Sequence, residues 1–348
     1  MTRFPQHDDA WYTRRLALPQ GRPRVVIDTD AANEIDDQFA LAWALLSPTQ
    51  LDVLAVYAAP FSFAHRRAEL PYAQADDKQF NPPGTGMHRS FDEINKVYSL
   101  LGLPANGKVF RGSEGYLSSL AKPRRSEAVD HLIATARAGD DGDDGKPLYV
   151  LALGCVTNIA SALLLAPDIA SRIVVVWTSG YPSHAPHINN SFNLEQDLLA
   201  SQLLLDSGVP HVYLPGYHVG AQLRLSLPEM ALHVKGRGAI GNYLYELFTH
   251  NPLWPMLGLD RTQRVLDRTP RVLDDTQRAC SWVIWDVINI AWMLEPAWVP
   301  SELVRTPRLD EGKRWRADST RHLMREAHEV RRDLIFSDFF SKLDGCAG

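Results

Sequence analysis

Short runs of β-branched and other apolar residues recur along the first two thirds of the chain, at 24–27, 51–57, 147–153, 173–177 and 211–214. Each run is too short for a helix and too uniformly apolar for a strand with one face in water, which is typical of strands buried on both faces. Segments with helical spacing lie between them, at 37–46, 90–101, 126–138, 158–165 and 197–206. This alternation predicts an α/β fold with an open, mostly parallel sheet flanked by helices.

Three other segments have a different character. Residues 61–89 are polar and rich in Pro and Gly, which predicts either a long loop over a site or a disordered loop. Residues 228–280 are aromatic-rich with helical spacing and predict a lid or subdomain. From Asp318 onward, apolar residues at helical spacing among charged ones predict a helical C-terminal portion. We see no internal repeat or linker that divides the sequence, so one domain over residues 1–348 is expected.

The composition is that of a globular protein, with 45% hydrophobic and 22% charged residues and a net charge of −5. This charge balance gives no reason to expect a nucleic-acid partner. Cys155, Cys280 and Cys346 are few and far apart, which argues against a disulfide framework or a zinc site. The sequence has no apolar run of signal-peptide or membrane-span length, so we expect a cytoplasmic protein without a membrane partner.

The most informative segment is VVIDTDAANEIDDQFALAWALL, in which a predicted buried strand runs into a predicted helix. It carries five acidic residues, Asp28, Asp30, Glu34, Asp36 and Asp37. The carboxyl end of a strand in an open α/β sheet is where ligands bind. Carboxylates that converge there repel one another unless a cation, protonation or the amides of a helix N-terminus offset the repulsion. A hard cation such as Ca²⁺ or Mg²⁺ is the simplest answer, because both prefer oxygen ligands.

Other interpretations of this acidic segment remain open. Asp36 or Asp37 alone is a plausible helix N-cap. An EF-hand loop that begins at Asp28 would need Gly and Glu where Asn33 and Phe39 stand, so that match fails. Haloacid-dehalogenase phosphatases also place Asp-x-Asp after a strand, but they typically have Thr or Val where this chain has Ala32.

The order of these residues resembles the inosine-uridine-preferring nucleoside hydrolase family, whose fingerprint is a strand, Asp-x-Asp, a short spacer and Asp-Asp opening a helix. The match is Asp28-Thr29-Asp30 and Asp36-Asp37, and the spacer AANEI is two residues longer than is usual. Three later segments match in the expected order: LYVLALGCVTNIASALLL, NNSFNLEQDLLASQLLLDSGVP and WVIWDVINIAWMLEP. Together they extend the resemblance over roughly residues 24–300.

The resemblance implies a Ca²⁺-dependent hydrolase that cleaves the N-glycosidic bond of a nucleoside or a related ribosyl compound. The implied metal ligands are the side chains of Asp30, Asp37 and Asp286 and the backbone carbonyl of Leu153. Asp30 would also be the catalytic base that deprotonates a water molecule. Asp28 would lie behind these ligands and hold Asp30 or a bound water in place.

The same resemblance implies a small-molecule substrate, a role in purine or pyrimidine salvage, and assembly as a homodimer or homotetramer. The implied substrate contacts are Asp36, Asn190, Asn193 and Trp285. Asp36 and Asn193 would bind the ribose hydroxyls, and Trp285 would lie near the leaving group.

The sequence departs from the family at the leaving group. Many relatives have a proton-donating His before the last metal-binding Asp, where this chain has Trp285, whose indole can stack on a base but cannot act as a general acid. The family's Asn after the second strand is also missing, since the chain reads VYAAPF there. Four loop histidines are candidates for the missing acid: His65, His88, His184 and His187.

Two other functions therefore stay open from the sequence. One is a non-catalytic member of this fold that binds ribose or nucleosides. The other is a Mg²⁺-dependent phosphatase with an aspartate nucleophile, which would have no use for Asp286.

Overall fold

The computed structural model describes residues 4–139, 146–257 and 281–346. Its strands are β1 (Arg24–Thr29), β2 (Asp52–Ala58), β3 (Val109–Arg111), β4 (Leu148–Ala152), β5 (Ile173–Ser179), β6 (His211–Pro215), β7 (Arg224–Ser226), β8 (Ser281–Val283), β9 (Ser301–Arg305), β10 (Arg308–Leu309), β11 (Trp315–Arg316) and β12 (Leu323–Ala327).

The α-helices of the described residues cover both faces of the main sheet. They are α1 (Asp9–Arg15), α2 (Asp36–Leu45), α3 (Pro83–Leu100), α4 (Glu127–Arg137), α5 (Thr157–Leu165), α6 (Phe192–Glu195), α7 (Leu198–Asp206), α8 (Leu227–His233), α9 (Gly238–Thr249), α10 (Trp254–Leu257), α11 (Val287–Leu294) and α12 (Arg332–Asp344). None of the helices in the described ranges is long and apolar enough to cross a lipid bilayer.

Eight strands form the main sheet in the order β3-β2-β1-β4-β5-β6-β12-β9. All neighbours in it are parallel except β12 and β9, which are antiparallel. The predicted open, mostly parallel sheet flanked by helices is therefore confirmed. The strand order reverses its direction of growth at β1 and β4, and a crevice opens at the carboxyl ends of the strands at such a reversal.

Burial on both faces explains why the strand sequences are continuously apolar. Along β1, Val25 and Ile27 join the hydrophobic core on one face of the sheet, and Val26 joins the core on the other face. Successive side chains of a strand point to opposite faces, so both sets of positions must be apolar. The acidic residues begin at the carboxyl end of this strand, where Asp28 and Asp30 are also buried.

Several segments differ from the sequence-based expectation. Residues 61–89 are not one loop, since they contain 3-10 helices at Ala64–Glu69 and Lys78–Phe80 and the first turns of α3. Helix α3 begins at Pro83 rather than near residue 90, because a proline suits the first helical turn. Helices α8 to α10 agree with the prediction for 228–280 as far as residue 257, and residues 258–280 lie outside the described residues.

The helical spacing that begins at Asp318 holds for α12 but not for the residues before it. Leu323–Ala327 forms β12, an interior strand between β6 and β9. Its pairing with two neighbouring strands outweighs its helix-like sequence, which includes Arg325 and Glu326.

Candidate active and metal-binding site

The acidic segment lies at the carboxyl end of β1, in the crevice beside β4. Asp28 is the second-to-last residue of β1, and Asp30 directly follows the strand. Asp36 and Asp37 are the first two residues of α2. The N-cap of α2 is Ile35, which makes no side-chain cap, so neither aspartate is the helix cap. Both carboxylates lie in the first turn, where the helix dipole favours negative charge.

Asp36, Asp37 and Asp286 form a buried carboxylate cluster. Each offers one oxygen, and these oxygens lie within 4.8 Å of one another. Asp286 reaches the cluster because it directly precedes α11, a helix that packs against α2. The structure thus brings together acidic residues from distant parts of the chain, a geometry that could hold a metal ion.

Asp28 and Asp30 are not among these three residues. Burial, and next to it the negative charge of Asp37, raises the pKa of Asp30, so Asp30 interacts with the cluster electrostatically. The carboxylate of Asp30 packs on Gly154, where an added Cβ would lie 2.7 Å from its Cγ. It also accepts a 3.5 Å hydrogen bond from Gln196 Nε2. The role of Asp30 as a ligand stays a prediction.

A neighbouring helix holds the Asp28 carboxylate in place. Its Oδ1 accepts a 2.8 Å hydrogen bond from Nδ2 of Asn158, in the first turn of α5. The Oδ1 of the same amide accepts a 2.8 Å bond from the backbone N–H of Ser113. Asp28 is thus anchored to the neighbouring strand-helix turn rather than directly to Asp30.

The chemistry of these acids fits a hard divalent cation. One oxygen of each of Asp28, Asp30 and Asp37 is buried without a hydrogen-bond partner. Burial raises the pKa of Asp28 to about 7 and that of Asp37 to about 6. Burial, and next to it the negative charge of Asp36, raises the pKa of Asp286. Unpaired, buried and mutually repelling carboxylate oxygens are what a bound Ca²⁺ or Mg²⁺ would stabilise.

A second group of polar atoms comes from the ends of β4 and β5. Asn193 Nδ2 donates a 2.5 Å hydrogen bond to the backbone carbonyl of Leu153 and a 3.2 Å bond to that of Thr178. Leu153 and Asn193 both line the cavity that opens over the acidic cluster. The structure therefore places these two predicted residues in contact at the site.

The cavity has a volume of about 380 Å³, within the range of small-molecule sites. Its polar part includes Asp36, Asp286 and Asn193. The rest of its wall is largely apolar and aromatic, formed by Phe63, Leu70, Phe192, Tyr217, Leu253, Leu257, Trp282 and Trp285. Such a cavity suits a ligand with one polar part and one flat, apolar part.

Trp285 lies in this aromatic wall, with its ring nearly perpendicular to that of Tyr217 at a centroid distance of 6.0 Å. Its position near a leaving group stays a prediction. Asn190 is exposed and is not among the lining residues. Its backbone carbonyl accepts hydrogen bonds from Arg66 and, at 3.4 Å, from the Tyr217 hydroxyl. A substrate contact from Asn190 stays a prediction.

None of the four candidate histidines is among the described lining residues of the cavity. His65 contacts Glu195 at 3.2 Å, and His88 lies 3.8 Å from Glu114. His184 lines a different cavity, and His187 packs against the ring of Tyr181. The described part of the chain thus supplies no imidazole to protonate a leaving group in this conformation.

Several residues in the site were not singled out from the sequence. Gln196 contacts Asp30, and Arg66 and Tyr217 line the cavity. Gln196 follows Asn193 by three positions in the segment NNSFNLEQDLLASQLLLDSGVP, which was an available signal. Arg66 lies in the 3-10 helix Ala64–Glu69 and Tyr217 in a turn after β6, and the sequence pattern defines the path of neither segment.

Comparison with known proteins identifies relatives across most of the chain. Residues 25–331 match the family model described as inosine-uridine preferring nucleoside hydrolase. An uncharacterized protein of Schizosaccharomyces pombe is 29% identical over 220 residues, 60% of this chain and 65% of that protein. A probable uridine nucleosidase 2 of Arabidopsis thaliana is 22% identical over 232 residues, 65% of this chain and 69% of that protein. The chain thus matches about two thirds of the length of these curated relatives.

Solved structures share the fold at low sequence identity. The purine-preferring ribonucleoside hydrolase from Gardnerella vaginalis has a TM-score of 0.65 at 20% identity, covering 93% of this chain and 99% of that one. The inosine-uridine preferring nucleoside hydrolase from Bacillus anthracis has a TM-score of 0.59 at 15% identity, covering 92% and 99%. The type III effector protein XopQ, complexed with adenosine diphosphate ribose, has a TM-score of 0.61 at 14% identity, covering 98% and 99%.

Proposed function

The chain belongs to the inosine-uridine preferring nucleoside hydrolase family, and from this premise we propose that it hydrolyses the N-glycosidic bond of a nucleoside or a related ribosyl compound with the help of a bound Ca²⁺ ion. Water would add across the bond between the anomeric carbon and the leaving nitrogen, so that the carbon gains a hydroxyl and the nitrogen gains a proton. A cytoplasmic homodimer or homotetramer acting in purine or pyrimidine salvage completes the proposal.

The observation that carries this proposal is the buried carboxylate cluster beside a cavity of nucleoside size. Asp36, Asp37 and Asp286 offer three oxygens within 4.8 Å of one another, and Asp30 adds a buried oxygen without a partner nearby. We propose that Asp30, Asp37 and Asp286 hold the cation together with the carbonyl of Leu153. About seven or eight oxygen ligands suit Ca²⁺ better than Mg²⁺, which demands octahedral geometry.

When bound, the ion would lower the pKa of a water molecule and orient it toward the sugar. Asp30 would accept the proton of that water, because its Oδ1 is buried without a hydrogen-bond partner. Asp36 and Asn193 would bind the ribose hydroxyls from the polar side of the cavity. The carboxylates would also stabilise positive charge that grows on the sugar ring in the oxocarbenium-like transition state.

The leaving group would lie against the aromatic wall. Trp285 and Tyr217 offer flat, apolar surface to a heterocyclic base. The side chain of Arg66 also lines the cavity and is a hydrogen-bond donor for a polar atom of that group. This part of the site favours stacking over proton donation by histidine, which fits a leaving group that needs little acid catalysis or a modified base.

The test is a reducing-sugar assay on the purified protein with a panel of purine, pyrimidine and modified nucleosides, each with chelator, with excess Ca²⁺ and with Mg²⁺. We expect sugar release that stops with chelator and returns with Ca²⁺. Sugar release that is unaffected by chelator would contradict the proposal that hydrolysis depends on a bound metal ion. Ca²⁺ and ribose binding without turnover on any substrate would contradict hydrolysis and identify a binding protein, and phosphate release from phosphomonoesters would identify a phosphatase.

A further inference from the structure

The spacer between Asp30 and Asp36, residues 31–35, is longer than is usual in the family and folds into a strained turn. Ala32 has a positive φ of 81°, a left-handed conformation that is unfavourable for a residue with a Cβ atom. Within the turn, the Asn33 N–H donates a 3.0 Å hydrogen bond to the Asp30 carbonyl. The turn therefore needs support from elsewhere in the molecule.

That support comes from Gln79 and Arg89, which lie in the Pro- and Gly-rich segment 61–89 and the first turns of α3. Gln79 Nε2 donates a 2.6 Å hydrogen bond to the Asn33 carbonyl and a 3.4 Å bond to the Ala32 carbonyl. Arg89 Nη2 donates a 3.1 Å bond to the same Ala32 carbonyl. Side chains thus satisfy the two turn carbonyls.

Gln79 and Arg89 also fix each other. Arg89 Nη1 donates a 2.8 Å hydrogen bond to Gln79 Oε1 and a 2.9 Å bond to the Lys78 carbonyl. The guanidinium lies over the ring of Phe61 at 5.1 Å, and Gln79 is only 2% exposed. A buried amide and a stacked, forked guanidinium that share hydrogen bonds form a rigid support.

We infer that Gln79 and Arg89 are positioning residues that hold the long spacer in the one backbone conformation in which the carboxylates at its two ends face the same cation. This inference rests on the proposed function, since it assumes that a cation binds there. We call the pair Gln79 and Arg89 the clamp. It also affects the shape of the cavity, because Asn33 and Glu34 of the spacer line the cavity. Glu34 accepts a 2.5 Å hydrogen bond from Trp282 Nε1 on that wall.

The test compares Arg89→Ala with wild type and with Arg67→Ala as the matched control. Arg67 lies in the same segment and donates to a backbone carbonyl, that of Ala75, but does not contact the spacer. Calorimetric titration of chelator-treated protein with CaCl₂ should show a 10- to 100-fold higher Kd for Arg89→Ala, the usual range for loss of a residue that supports metal ligands. Arg67→Ala should bind Ca²⁺ as wild type does.

Hydrogen-deuterium exchange gives a readout that does not depend on the metal. In metal-free Arg89→Ala the amides of residues 31–35 should exchange faster than in wild type, and those of the strand β1 should not. If Arg89→Ala folds, binds Ca²⁺ with wild-type affinity and shows unchanged amide exchange in residues 31–35, the proposed positioning role of Gln79 and Arg89 is wrong. A wild-type protein that binds no Ca²⁺ would instead refute the proposed function, and faster exchange in the variant would still support the clamp.

Arg89→Lys and Gln79→Met keep the test valid if Arg89→Ala does not fold. A lysine keeps the positive charge and the aliphatic part of the side chain. It lacks the two guanidinium nitrogens that donate to Ala32 and Gln79 at the same time. A methionine keeps the length and apolar volume of Gln79 without its amide. Each should lower Ca²⁺ affinity several-fold and speed exchange in the spacer, and wild-type values in both would overturn the inference.

Discussion

Neutralising one carboxylate of the cluster should stabilise the metal-free protein while abolishing its response to Ca²⁺. Asp37 is the choice because its Oδ1 accepts a hydrogen bond from the Thr29 hydroxyl, which the amide oxygen of an asparagine can accept as well. Its other oxygen is buried and has no partner. Asp37→Asn therefore removes a buried charge with little change of shape.

The magnitude follows from the pKa of Asp37, which burial raises from 3.8 to about 6. A folded-state pKa above the unfolded one means that stability is fully present below about pH 4 and is lost as the pH rises through about 6. At about 1.4 kcal/mol per pKa unit, the ionised side chain destabilises the metal-free fold by about 3 kcal/mol at pH 8. Asp37→Asn should recover about this amount at pH 8 and almost none of it at pH 4.

The assay is urea denaturation in chelator at pH 8, repeated with excess CaCl₂. Wild type should gain stability from Ca²⁺, since a ligand that binds only the folded state stabilises it, and Asp37→Asn should gain much less. Glu114→Gln is the control, because that carboxylate is 78% exposed and its neutralisation should change neither value. If Asp37→Asn were less stable than wild type in chelator at pH 8, or kept the full Ca²⁺ response, the reasoning would be refuted.

Three further predictions concern catalysis and acid stability. Asp30→Asn should keep the fold but lower kcat by about 10²–10⁴, the range for a lost general base, as steady-state kinetics and circular dichroism would show; full activity would remove Asp30 from that role. Trp285→Ala should raise KM about tenfold with a smaller effect on kcat, because stacking is lost in the ground state and transition state alike. Burial lowers the pKa of His211 to about 3 and that of His322 to about 4. The stability that these neutral histidines contribute is therefore present above about pH 6.5 and is lost as the pH falls toward those values, by about 2 kcal/mol each at pH 5. In urea denaturation, His211→Leu should reduce the dependence of the unfolding free energy on pH between about 5 and 6.5, and an unchanged dependence would contradict the prediction.

The parts of the fold that follow from local pattern were predictable from the sequence. The buried strands β1, β2, β4, β5 and β6 each contain a continuous run of apolar residues. A parallel strand that is buried on both faces of the sheet cannot alternate apolar and polar residues as a half-exposed strand does. Strand β12 was not predictable in this way, since it contains Arg325 and Glu326. Arg325 donates to the carbonyls of Leu16 and Ser301, and Glu326 accepts from Ser183, so long-range partners compensate the charges that obscure the strand.

The candidate site shows the same division. The sequence indicated which acids gather, because strand ends and helix starts are local features, and Asp37 and Asp286 do lie together. It did not indicate that Asp36 would lie in the same group of oxygens as Asp37 and Asp286. That depends on the path of the spacer, which is set by a positive φ at Ala32 and by contacts from Arg89, far along the chain. Such contacts leave no periodic signal in a single sequence.

The most direct measurement is an anomalous difference map from crystals of the wild-type protein grown with Ca²⁺, and with Mn²⁺ as a stronger scatterer. We predict a single strong peak at the carboxyl end of β1, about 2.3–2.6 Å from oxygens of Asp30, Asp37 and Asp286 in the Ca²⁺ form. A map with no peak there, or with the carboxylate of Asp286 turned away from an ion that the other two bind, would contradict it.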